Sequence, residues 1–148
     1  MRFIVAVDGS DASDRALEYA IEVTDADRDA LTLVHVVDPD VYAETPSEPL
    51  SGFSEAEEML VASVEDAEER GERVLEAAAA DADEHGVDAA TETLYGDPAT
   101  RLAEFADEQG FDGVFIGHKG RSERAARLVG SVAKALVERS EVPVTVVR

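Results

Sequence analysis

No cysteine occurs anywhere in the 148 residues, so the chain holds no disulfide, no thiolate metal site and no cysteine nucleophile. Tryptophan is also missing, and aromatic side chains make up only 5%, so aliphatic residues must build the core. No apolar run approaches the roughly 18 residues that span a bilayer. The opening Phe3-Ile4-Val5-Ala6-Val7 is cut off by Asp8, too short for a signal-peptide core. These absences predict a cytoplasmic protein with no membrane segment. Cations are scarce as well: 13 basic against 34 acidic residues give a formal net charge of −21. A field of that sign repels nucleic acids and anionic membranes, which excludes both as general partners. Only Lys119 and Lys134 are lysine. An acidic, lysine-poor surface predicts a halophilic source with molar internal salt. There the Debye length falls to roughly 3 Å and the self-repulsion is screened.

A chain of this length predicts one domain, 1–148, with a sizeable core. Short β-branched runs alternate with stretches of helical periodicity. Phe3 to Val7 reads as a buried strand ending in the turn Asp8-Gly9-Ser10. Ala12, Ala16, Leu17, Ala20, Ile21 and Val23 predict a helix from Asp11 to about Ala26. A second strand covers Leu31 to Val37. The Pro- and Gly-containing stretch from Asp38 to Ser54 reads as a loop, long enough to be mobile or functional. One long helix follows, from Ser54 to about His85, with Ser54 and Glu57 as a capping box. Its narrow stripe of small residues, Gly71 among them, fits close packing on a sheet. Thr91 to Tyr95 is a weaker strand nearer an edge. Asp97-Pro98 starts a helix that ends near Gln109-Gly110. A strand over Gly113 to Ile116, a helix from Gly130 to about Arg139 and a last strand over Val142 to Val147 complete the chain.

This alternation predicts an α/β fold: an open five-stranded parallel sheet, order 3-2-1-4-5, with helices on both faces, Rossmann-like. The topological switch then lies between strands 1 and 4, where Asp8 and Ile116-Gly117 end their strands, and ligands of such sheets bind there. A second reading points to the same place. Gly117-His118-Lys119-Gly120 is followed after nine residues by Gly130-Ser131. Glycines let a backbone approach an anion and adopt φ > 0, and a helix starting at Gly130-Ser131 adds its N-terminal N–H groups. Lys119, Arg121, Arg124 and Arg127 fall inside this glycine frame, with Glu123 the one acid among them. Arg121 is assigned to phosphate, with a solvent-exposed helical face paired to nearby carboxylates as the alternative left open; Arg124 and Arg127 read as surface. The site is therefore expected to take a phosphate-bearing ligand.

Gly, two residues, Gly, nine residues, Gly and a hydroxyl residue is also the pattern of the universal stress protein family in its ATP-binding branch. The chain resembles that family over nearly its whole length: Ile4-Val5-Ala6-Val7-Asp8-Gly9-Ser10, His35-Val36-Val37-Asp38, Tyr95-Gly96-Asp97-Pro98 and the closing Val142-Pro143-Val144-Thr145-Val146-Val147. The resemblance implies an ATP-binding regulatory protein of the stress response. In that reading Asp8 accepts hydrogen bonds from the ribose hydroxyls, Ala6 and Val7 line the nucleoside pocket, and the Val36 backbone holds the adenine edge. Gly117, Lys119 and Gly120 wrap the phosphates, and Gly130, Ser131 and Val132 meet them from the helix start. Family members often carry a small residue where this chain has His118. The resemblance also implies a homodimer through the last strand, whose open edge is otherwise an aggregation hazard.

Catalysis has little support. The sequence has no Walker lysine–hydroxyl pair and no acidic cluster placed for phosphoryl transfer, so no catalytic residue is assigned and any ATPase is slow. Mg²⁺ accompanies ATP held by phosphates and water. His118, a lone histidine in a loop, reads as exposed or phosphate-adjacent. The competing reading is a module of the same fold that dimerises and binds a protein partner without nucleotide. An adenylating enzyme needs a Ser-Gly-Gly type loop after strand 1, and a receiver domain needs paired acids there and an aspartate ending strand 3. Asp8-Gly9-Ser10-Asp11 and Tyr95-Gly96 supply neither.

Overall fold

The computed structural model describes residues 1–38, 53–120 and 129–148, and for 53–63 the backbone alone. Five strands, β1 (Arg2–Ala6), β2 (Ala30–Val37), β3 (Ala90–Tyr95), β4 (Gly113–Gly117) and β5 (Val144–Val147), form one all-parallel sheet in the order β3-β2-β1-β4-β5. The described helices are α1 (Asp11–Val23), α2 (Phe53–Glu84), α3 (Pro98–Glu108) and α4 (Ser131–Arg139). The α/β, Rossmann-like architecture is thus the expected one, with the switch point between β1 and β4. None of the described helices is long and apolar enough to cross a membrane.

The sheet separates two cores, which is why its central strands are apolar without alternation. Successive β1 residues serve opposite faces: Ile4 packs with Val34, Leu102 and Leu136 under α3 and α4, while Val5 packs with Leu17, Leu33 and Leu75 under α1 and α2. Phe115 of β4 stacks edge-on against Phe3 and Tyr19, centroids 5.4 and 6.1 Å apart.

Helix ends follow local side-chain chemistry. Ser10 caps α1, its hydroxyl accepting from the Ser13 N–H at 3.1 Å. The helix stops at Val23 rather than near Ala26. Thr24 turns extended and sends both its N–H and its hydroxyl to the Ala20 carbonyl, and the carboxylates of Asp25 and Asp29 take the next free N–H groups. Asp97 caps α3, with Pro98 at the first position and the Thr100 N–H on its carboxylate at 3.1 Å. α2 starts at Phe53, so Ser54 falls inside the helix instead of capping it; the expected capping box involves side chains outside the described residues. The expected loop from Asp38 onward lies largely outside them too. β5 is shorter than expected: Val142 and Pro143 precede it, and the Pro143 carbonyl accepts from the Val114 N–H at 2.9 Å. It is also not apolar on both faces, since Thr145 is exposed between the half-buried Val144 and Val146.

Candidate functional site

At the carboxyl ends of β1, β2 and β4 a crevice opens, enclosing about 590 Å³ with its share of open solvent. β1 and its turn contribute Ala6, Val7 and Asp8; β4 and its loop contribute Ile116, Gly117, Lys119 and Gly120. Val36 enters from β2, and Gly130 and Val132 from the start of α4. Every residue expected in the site therefore lines it except two. Ser131 sits exposed at the first position of α4 and outside the lining, and Arg121 lies outside the described residues, as do Arg124 and Arg127.

The turn after β1 delivers Asp8. Gly9, at φ +79, reverses the chain in a conformation that a side chain resists. The Asp8 carboxylate accepts from the Ser10 N–H at 2.9 Å, so Asp8 supports the cap that Ser10 makes. Across the crevice Gly120 faces it: a Cβ there would lie 3.4 Å from Asp8 Oδ2. The N-cap of α4 is Gly130, which offers no side-chain acceptor to the first turn. A glycine-capped helix start aimed at a crevice is favourable ground for an anion.

The glycines differ from expectation in their reason for being there. Positive φ occurs at Gly9, Gly86, Gly96 and Gly110, and not at Gly117, Gly120 or Gly130; Gly130 is at φ −65. What Gly117 needs is room. A Cβ on it would stand 2.7 Å from the carbonyl carbon and oxygen of Ala12, so α1 packs directly on the end of β4. His118 is a second correction. It is only 6% exposed, its N–H donates to the Val147 carbonyl at 2.8 Å, and its carbonyl accepts from the Gly130 N–H at 2.5 Å. The peptide thus ties β5 to the start of α4, and the ring is drawn inward. Its Nδ1 has no hydrogen-bond partner among the described residues.

Sequence reasoning missed Ser13, Val34, His35, Pro98, Leu102 and Ala133 in the lining. Most are apolar and indistinguishable from core positions. His35 had a signal, being the one ionisable residue within β2. Two flanking carboxyls are perturbed. Thr100, through its hydroxyl and its N–H, holds Asp97 below the usual carboxylate range, with Arg139 adding to it. Burial, and then Asp11 and Asp81, push Asp14 up. Among the described residues no group of three or more histidines and carboxylates is placed to hold a metal.

The model of the universal stress protein family matches residues 1–148. The chain belongs to the universal stress protein family. Among family members it is 30% identical over 148 residues to the universal stress protein YxiE of Bacillus subtilis, covering 99% of this chain and 98% of that one. A solved family structure from Burkholderia pseudomallei superposes with a TM-score of 0.71 at 29% identity, over 99% of this chain and 94% of the other. A family protein from Arabidopsis thaliana, solved with AMP bound, shares the fold at a TM-score of 0.68 and 19% identity, over 99% and 90% of the two chains.

Proposed function

We propose that the crevice binds ATP and that the protein acts as an ATP-dependent regulatory member of its family rather than as an enzyme. The observation that carries this reading is the convergence of Asp8, Lys119 and the glycines 117, 120 and 130 on one opening at the β1/β4 switch point. Asp8 takes the ribose hydroxyls. Gly117 to Gly120 and the start of α4, with Ser131 beside it, take the phosphates, and Arg121 adds charge. Mg²⁺ is held by phosphates and water. The adenine lies among Ala6, Val36, Ile116 and Val132. Strand geometry supports the role of Val36: Val34 gives its carbonyl to the Val7 N–H, and peptides two apart on a strand face the same way. The Val36 N–H and carbonyl therefore face the gap beyond the end of β1. AMP in the Arabidopsis relative supports an adenine nucleotide as ligand class.

Three further parts belong to the same reading. The protein works in the cytoplasm of a halophilic archaeon, supported by the charge of −21 and only two lysines. It is a homodimer joined through β5 and the preceding Val142-Pro143, supported by the edge position of β5 in the sheet. Hydrolysis is slow at most, a reading supported by the lack of a Walker lysine–hydroxyl pair in the sequence. The second reading, a dimeric module that binds a protein partner without nucleotide, is favoured by one observation: apolar residues dominate the crevice lining.

The experiment is to purify the protein in molar KCl, denature it and identify released nucleotide by chromatography, beside Gly130→Val. Residue 130 is buried and sits at φ −65, ψ 160, extended backbone that valine adopts, so this variant adds bulk at the start of α4 without demanding a new backbone conformation. ATP near one per chain from wild type alone is the expected result. Release of AMP instead would overturn the choice of ATP. No nucleotide, with no uptake of added Mg-ATP or AMP, transfers the function to the partner-binding reading.

A further inference from the structure

The peptide that carries Asp8 into the crevice is held by side chains, because the β1–β2 ladder ends before it. The β1–β2 register ends at Ala6 opposite Val34, and the Val7 N–H makes the last ladder bond, to the Val34 carbonyl at 2.9 Å. The Val7 carbonyl comes next, on a residue only 5% exposed, where an unpaired acceptor is strongly disfavoured. Its partner is the His35 ring, with Nδ1 at 2.8 Å. A carbonyl only accepts, so Nδ1 carries the proton. The Asp8 N–H, at the other end of the same amide, donates to Ser13 Oγ at 3.3 Å. Val7 C=O and Asp8 N–H lie in one rigid plane. That plane is gripped from β2 on one side and from α1 on the other, and both gripping residues line the crevice.

His35 is itself held in place. Gly71, in the middle of α2, packs on the imidazole so closely that a Cβ would stand 2.6 Å from Cδ2 and 3.0 Å from Nε2. Glycine within a helix costs stability relative to alanine. The ring explains why glycine fits at this position.

We infer that His35 and Ser13 are positioning residues that clamp the Val7–Asp8 peptide and so aim the Asp8 carboxylate at the ligand, with Gly71 setting the ring. The inference rests on the nucleotide reading of the crevice. It is distinct from that reading because none of the three residues needs to touch the nucleotide.

The test is titration of Mg-ATP and of AMP into wild type, His35→Asn, His35→Gln and Gly71→Ala in molar KCl, with thermal melts of each. Asparagine puts an amide nitrogen as many bonds from Cβ as Nδ1 stands; glutamine puts it one bond further out. Binding by His35→Asn within about threefold of wild type is expected, with losses of about tenfold in His35→Gln and Gly71→Ala, the scale of one hydrogen bond. Gly71→Ala raises helix propensity and keeps every polar atom, so a merely structural role of the ring would leave its affinity intact. It also decides the matter if His35→Gln fails to fold. Wild-type affinity in Gly71→Ala, or in a folded His35→Gln, overturns the clamp alone. Failure of wild type to bind either nucleotide overturns the nucleotide reading and the clamp with it. Nitrogen NMR of the imidazoles gives a ligand-free check: Nδ1–H in the neutral His35 ring is expected, and Nε2–H overturns the clamp.

Discussion

Two openings meet at the tip of β1 and share Val7 and Ser13, yet their chemistry is opposed. The crevice on the α3 and α4 side combines apolar walls with Asp8, Lys119 and glycines. The groove between α1 and α2 is larger, about 960 against 590 Å³ including open solvent, and is walled by Asp14 and Glu18 of α1 and by Arg73 and Asp81 of α2. Size alone would favour the groove. Asp14 there already disfavours its own charge, since burial and neighbouring acids push it up, and a phosphate would meet the same acids. In a chain of net charge −21, the proposed anion site lies where acid gives way to glycine, lysine and a glycine-capped helix start.

Gly117→Ala should break this comparison most severely, because α1 walls both openings. The new Cβ at 2.7 Å from the Ala12 backbone must push α1 away from β4. Overpacking of this kind costs about 1–3 kcal/mol. Stability by urea unfolding in molar KCl should fall by that amount, and nucleotide binding should fall with it. Gly120→Val is the contrast. Its Cβ would stand at ordinary contact distance from Asp8, so stability should stay within about 0.5 kcal/mol while ATP binding is lost. Equal stability in the two variants would show that the glycines serve one purpose, against the geometry described above.

Asp97→Ala is expected to act on one wall of the crevice only. Asp97 caps α3, whose first turns supply Pro98 and Leu102, and the carboxylate also accepts from Arg139 at 2.9 Å. Loss of such a cap costs about 1 kcal/mol. The pH dependence follows from the lowered pKa. A depressed carboxylate contributes its stability above the unfolded value of 3.8 and loses it as pH falls through the folded value. The difference between wild type and Asp97→Ala should therefore be full near neutrality and close in acid below 3.8. A difference that persists there would assign the effect to packing instead.

The strands and their order were legible because buried parallel strands leave uninterrupted β-branched runs, and alternation with helices leaves few topologies. The location of the crevice followed from that order. What each glycine does was not legible: the spacing of Gly117, Gly120 and Gly130 does not reveal that Gly117 answers to Ala12, a residue far away in sequence. His118 read as a loop histidine because nothing nearby in the chain marks the contacts of its peptide with Val147 and Gly130. Ser13 and His35 escaped for the same reason. Their partners are single backbone groups of β1 and its turn, and side-chain to backbone bonds between distant elements leave no periodicity to read. The end of α1 was missed through Thr24, whose hydroxyl takes the Ala20 carbonyl at 2.6 Å and competes with the helix.

The smallest expected effect lies on the groove side and sharpens the comparison most. Asp14 is raised first by burial and then by Asp11, Asp81, Asp8 and Glu18. A raised carboxylate destabilises the folded state when ionised, and that penalty is relieved as pH falls through the raised value toward 3.8. Asp14→Asn should therefore raise the melting temperature near neutral pH, by about 1–2 °C for an exposed position. Salt separates the two causes. In dilute buffer the neighbouring charges act in full, whereas in molar KCl the Debye length of roughly 3 Å removes most of their share and leaves the desolvation. A gain that shrinks but survives in molar KCl matches burial as the larger cause; a gain that vanishes makes the groove a purely Coulombic feature. ATP affinity measured alongside decides whether the two openings are independent. Asp14 and Asp8 repel each other, so in dilute salt the variant should alter binding slightly, and in molar KCl not at all. A change that persists at high salt would mean that the groove reaches the crevice through the packing of α1, and the contrast between the two openings would then be one of degree.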